Sequence, residues 1–234
     1  MKKIFALVFA ISLTGCAVHI SSNNGTPIDQ VPMYGGMNRA AIPDLKYADE
    51  KLIAETTEHY GTREKASAAF VGNGFAYYQR DDLANAMRRF NQAWLLDPMN
   101  AEVYSGFGSV LHDQGENCEA MKMMEKSLAL NPPTSQGIYP DAARVITLCA
   151  VSDKTLSPEV KAKLFKHSEE LYRKAEEVEP NKHYVYGSWA TAYYWRGQYA
   201  EAWSMVARER TSGGKPSEKF LSLLREKMPE PATK

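Results

Sequence analysis

FVGNGFAYYQRDDLANAMRRFNQAWLLDP fills residues 70–98, and YSGFGSVLHDQGENCEAMKMMEKSLALNP fills residues 104–132. Laid over one another at an offset of 34, Phe70, Gly74, Tyr77, Ala86, Phe90, Ala93 and Pro98 fall on Tyr104, Gly108, Leu111, Ala120, Met124, Ser127 and Pro132. Each copy reads as a pair of helices. Large apolar residues fill the gap between the two, Gly or Ala lets the backbones approach, and Pro ends the second helix.

The period extends beyond these copies. At an offset of 82 from the second copy, Tyr104, Phe107, Gly108, Gly115, Ala120 and Met124 become Tyr186, Trp189, Ala190, Gly197, Ala202 and Val206. A third copy over 135–182 must then carry about fourteen extra residues, which the sequence places around Val151 to Pro158. It is expected to pair a helix near Pro140 to Cys149 with one from Glu159 to Val178, and it departs most from the pattern, with Ser168 where Ala86 stands and Ile146 where Tyr77 stands. The expected organisation is four repeats (67–100, 101–134, 135–182 and 183–214) preceded by a helical segment over 44–66, with Asp44 as a plausible N-cap. A capping helix and tail follow over 215–234, with Phe220, Leu223, Leu224 and Met228 on one face.

These residues resemble the tetratricopeptide repeat. The resemblance implies an all-α, right-handed superhelical stack of antiparallel helix pairs whose first helices line a concave face used for binding proteins. Carried over by helical phase, that face holds Val71, Phe75 and Tyr78, then Ser105, Ser109, His112 and Asp113, then Arg144, and finally Tyr184, Thr191, Tyr194 and Trp195. The same aromatics can equally be core, or lie beneath the early helix. Relatives that clamp a C-terminal carboxylate use lysines and asparagines where Val71 and Phe75 stand here, which argues against that function. In the family, the second helix of one copy packs antiparallel on the first helix of the next. That brings Cys118 level with Cys149, as a disulfide or as two buried thiols.

At the other end, Met1-Lys2-Lys3, the apolar run Ile4 to Leu13 and the sequence Leu13-Thr14-Gly15-Cys16 read as a secretory signal over residues 1–15. The run is short of the roughly 20 residues that span a bilayer. Its last four residues resemble the bacterial lipobox, which implies lipidation of Cys16, and Ala17 after it implies sorting to an outer membrane. The alternative is an ordinary signal with a chance cysteine. Residues 16–43, rich in Ser, Asn, Gly and Pro, read as a flexible tether, with the body in the periplasm or at the cell surface.

Composition narrows the function. The 234 residues are 44% hydrophobic, enough for a core, and 28 basic residues balance 28 acidic ones, which argues against a nucleic-acid partner. No GxGxxG, P-loop, HExxH or paired CxxC is present. His167 and Glu170 share a helix face but lack a third metal ligand, and His112, Asp113 and Cys118 make a weak catalytic set. The charges Glu169, Glu170, Arg173, Lys174, Glu176 and Glu177 read as a solvated helix face. The sequence therefore points to a binding protein without cofactor, metal or small-molecule substrate, whose partners are envelope proteins or peptide segments. An unrecognised hydrolase, an enzyme accessory and a plain spacer are the rivals.

Cys16→Ser is expected to leave an unlipidated precursor that no longer fractionates with lipidated outer-membrane proteins. Normal cleavage and an unchanged membrane fraction for the variant would rule out anchoring through Cys16.

Overall fold

The computed structural model describes residues 25–232. Cys16 and the signal read over 1–15 lie outside these residues. Among the described residues, ten α-helices follow three short 3-10 turns: α1 (Pro43–Tyr60), α2 (Arg63–Tyr78), α3 (Leu83–Leu96), α4 (Ala101–Asp113), α5 (Asn117–Ala129), α6 (Ile138–Ser152), α7 (Pro158–Val178), α8 (Lys182–Trp195), α9 (Tyr199–Thr211) and α10 (Glu218–Lys227). The fold is all-α, a stack of the helix pairs α2/α3, α4/α5, α6/α7 and α8/α9, each packed on the next. None of the described helices is long and apolar enough to cross a membrane.

Helix starts are set by side chains that satisfy free N–H groups. Asp82 Oδ1 accepts from the Asn85 N–H at 3.1 Å, Asn100 Oδ1 from Glu102 at 3.0 Å, and Asn181 Oδ1 from Tyr184 at 3.1 Å. At α1 the N-cap position belongs to Ile42, and Asp44 sits in the first turn, where its charge favours the helix dipole. Arg63, at the start of α2, donates to the Leu95 and Leu96 carbonyls at 2.8 and 2.9 Å and closes the far end of α3.

Phe90 is fully buried and sits at the centre of the first two repeats. Its ring lies between Gly74 of α2 and Gly106 of α4, so close that a Cβ on either glycine would fall within 2.5 Å and 2.4 Å of it. Phe75 and Phe107 meet the same ring edge-on, with centroids 5.1 and 6.3 Å away. In the second repeat Gly108 gives the same room to Met124.

The third repeat keeps the pairing by other means. Ser168, where Ala86 and Ala120 stand, is fully buried, and its hydroxyl donates to the Ala143 carbonyl at 2.7 Å and meets the Thr147 hydroxyl at 2.8 Å. The extra residues do not form a loop around Val151 to Pro158. Most of them lengthen α7 to 21 residues, against 13 for α5, and others widen the connection from Ala129 to Ile138. The charged run on α7 is only partly a solvated face. Glu169 pairs with Arg196 and accepts from the Tyr193 hydroxyl at 3.0 Å, while Glu176 pairs with Arg208 and accepts from Tyr186 at 2.9 Å, tying α7 to α8 and α9.

Cys118 and Cys149 form a disulfide that joins α5 to α6, with Cα atoms 4.7 Å apart. The capping helix α10 buries Leu221 and Leu224, its Phe220 and Met228 are half-buried, and Leu223 faces outward. Trp203 of α9 donates to the Met228 carbonyl at 3.1 Å and holds the cap in place.

Residues 25–43 are not the free tether that their composition suggests. They turn over α3 and are fastened by Asn91, a fully buried side chain that donates to the Asp29 and Val31 carbonyls, both at 2.9 Å, and accepts from the Tyr34 N–H at 3.3 Å. Arg88 adds an ion pair to Asp29 at 2.8 Å, and Arg39 stacks over the Tyr34 ring while binding Asp49 with two nitrogens. One asparagine supplying three backbone hydrogen bonds replaces the apolar periodicity that would have marked a docked segment.

Two glycines in neighbouring helices give opposite expectations. Gly106→Ala drives a methyl into the Phe90 ring and is expected to lower unfolding stability by about 2 kcal/mol. Gly72→Ala, where nothing lies within 4 Å of the added carbon, is expected to raise it by about 0.5–1 kcal/mol. Urea denaturation of both variants checks the pair, and a loss of equal size at Gly72 would contradict the packing described.

Candidate functional site

The first helices of the repeats do not lie evenly. Besides its own loop, α6 leans on α5, α7 and α8 and makes little contact with α4. The gap is a concave hollow of about 540 Å³ between α2, α4 and the start of α6. Four residues expected on the concave face meet there: Val71, Phe75, Ser105 and Ser109. Val71 and Ser105 are buried in the wall, and the Ser109 hydroxyl is turned back to the Ser105 carbonyl at 3.0 Å.

The rest of the lining is Ala68, Gly72, Glu102, Gln136, Ile138 and Asp141. None of these six is on the face that the repeat resemblance assigns, although Ala68, Glu102 and Asp141 each lie three residues before one that is. Following the same helical phase one turn towards each N-terminus would have found them.

Asp141 is the hub of the rim. It accepts from the Tyr184 hydroxyl at 2.5 Å and from Arg144 at 3.0 Å. Burial, with the Asp141 charge close by, pushes the Tyr184 phenol well above its usual ionisation range. Arg144 Nε is buried with no hydrogen-bond partner among the described residues. Tyr78 belongs to the same group of charges: burial and then the Asp113 carboxyl raise its pKa, and Arg144 opposes them.

Gly137 fixes where α6 begins. Its φ of 75° is left-handed, and a Cβ there would come within 2.8 Å of the Tyr184 ring, so both backbone and neighbour require glycine. Its N–H donates to Glu179 at 3.2 Å, while the other Glu179 oxygen is buried without a partner among the described residues. Burial pushes the Glu179 carboxyl above the usual range. At the place that corresponds to Ala93 and Ser127, α9 carries Glu209, whose carboxyl is also raised by burial and lies against Gly187.

Of the eight expected residues outside the lining, Arg144 and Tyr184 bond Asp141, Tyr78 and Asp113 lie near them, and four stay apart from the hollow. His112 turns to Asn117, with Nδ1 2.9 Å from its Oδ1, and Thr191 bonds its own helix at the Gly187 carbonyl, 3.0 Å away. Tyr194 is half-buried between Tyr199 and Phe220, each with ring centroid 5.8 Å from it, so it packs beneath the cap. Trp195, one residue on, is 51% exposed. The 100° turn between successive helical residues separates the two roles.

Other polar pairs resolve locally. His167 Nε2 lies 2.9 Å from Glu125 Oε1, and Glu170 pairs with Lys166 at 3.7 Å. Among the described residues no three of His, Cys, Asp or Glu gather as a metal site.

Comparison with known proteins finds the family described as TPR repeat matching residues 74–132. No curated protein matches the chain. The match runs from the last residues of α2 through α5, the part where the period is most regular, and it supports TPR repeats over that stretch.

Tyr194→Ala is expected to lower the melting temperature by several degrees, because it removes a ring that the cap covers. Trp195→Ala is expected to leave it within about a degree, as exposed sites away from caps usually do. Thermal melts followed by circular dichroism decide, and equal shifts would contradict the assignment.

Proposed function

We propose that this protein is an adaptor or assembly factor of a bacterial envelope, anchored by lipid on Cys16 to the outer membrane with its body in the periplasm or at the surface. It binds other envelope proteins on the concave face of its repeats and does no chemistry of its own. The observation that carries the reading is the hollow between α2, α4 and α6, a recess of mixed apolar and polar lining on the face that TPR repeats use for protein partners. Two features favour the compartment. The first sixteen residues have the order of a lipoprotein signal, and a disulfide joins α5 to α6, which suits an oxidising space.

The interaction scaffold itself follows from the repeats. The anchoring, the compartment and the absence of catalysis are the proposed part. The envelope partners and the concave binding face belong to it too, and affinity capture from detergent-solubilised envelope tests these. The wild-type chain is expected to retain a small set of envelope proteins that Gly72→Trp, which fills the hollow, loses at unchanged melting temperature. Recovery of the same proteins by both chains would place the binding surface elsewhere.

A further inference from the structure

The hollow has a definite charge. Two carboxylates, Glu102 and Asp141, stand among its lining residues, with no lysine or arginine. Asp141 is compensated by Arg144 at 3.0 Å, but Glu102 is in no ion pair among the described residues. The rest of the lining gives apolar surface at Val71, Phe75 and Ile138 and neutral polar groups at Ser105, Ser109 and Gln136, with Gly72 leaving the α2 backbone open to close approach.

A partner that covers Glu102 removes water from a carboxylate, which is costly without a countercharge. A lysine or arginine on the partner supplies one; an acidic partner adds repulsion. An apolar side chain beside that cation gains the contact of the recess. Resting on the groove reading above, we infer that the occupant is a cationic segment of another protein, an apolar anchor flanked by Lys or Arg. The anchor enters beside Gly72 and the cation meets Glu102. A volume of about 540 Å³ lies within the range of roughly 300–1,000 Å³ usual for small-ligand pockets.

Three fluorescein-labelled 12-residue peptides test this against the full chain in non-ionic detergent. They share one set of leucine positions and carry Lys, Gln or Glu at the others. Fluorescence anisotropy is expected to show the Lys peptide binding at least tenfold tighter than the Glu peptide, and weakening as salt rises. Glu102→Gln is expected to reduce that preference about threefold, and Gly72→Leu to abolish binding.

Tighter binding of the Gln or Glu peptide, still blocked by Gly72→Leu, would overturn the cationic assignment while leaving the groove standing. Binding that ignores Gly72→Leu, or no binding by any peptide, would overturn the groove reading itself. Sedimentation of the chain alone covers the remaining occupant. Self-association lost in Gly72→Leu would assign the recess to a second copy of this chain and overturn the proposal.

Discussion

Phe90, held between Gly74 and Gly106, fixes the spacing of the first two repeats. Phe90 packs so closely that a Cβ on either neighbour would overlap its ring, and here one glycine comes from its own repeat and one from the next. The same ring therefore joins α2 to α3 and α3 to α4. It also sets α2 and α4 side by side, so that Val71 and Phe75 on one and Ser105 and Ser109 on the other form a continuous wall. The concave face of the first half follows from that one contact.

The recess depends on where this regular spacing stops. Between α3 and α4 the chain runs from Leu96 to Ala101, but between α5 and α6 it runs from Ala129 to Ile138. Pro132, Pro133 and the left-handed Gly137 lie in that longer passage. Glu179 then pins Gly137, the Cys118–Cys149 disulfide holds α6 against α5, and Tyr184 reaches back to Asp141. Held to α5 and α8, α6 cannot close onto α4. A departure from the repeat pattern thus produces the hollow, and the elements around it keep it open.

Much of this was legible in the sequence. Phe70 to Pro132 announced the helix pairs because a fixed period of large and small residues reports helix spacing directly. The antiparallel pairing that the repeats imply set Cys118 level with Cys149. Other parts left no periodic trace. The docking of residues 25–43 depends on Asn91, one polar side chain whose three backbone partners lie about sixty residues away in sequence. Glu169 and Glu176 looked like surface charge because their partners, Arg196 and Arg208, belong to later helices. Helical phase sets Val71, Phe75, Ser105 and Ser109 on one face, and they line one hollow, yet it stops a turn short of Ala68, Glu102 and Asp141. It also put Tyr194 outside when the cap covers it, since the position of α10 is set by tertiary contacts through Phe220 and Trp203.

The central claim is that partners meet this protein in the recess between α2, α4 and α6. A photo-crosslinking amino acid placed singly at Gly72, at Gln136 and, on outward faces, at Lys122 and Lys166 tests it most directly in living cells. Irradiation is expected to give the same discrete adducts from positions 72 and 136, and none of those from 122 or 166. Adducts arising from 122 or 166 alone would contradict the account and move the binding surface to the outer helices.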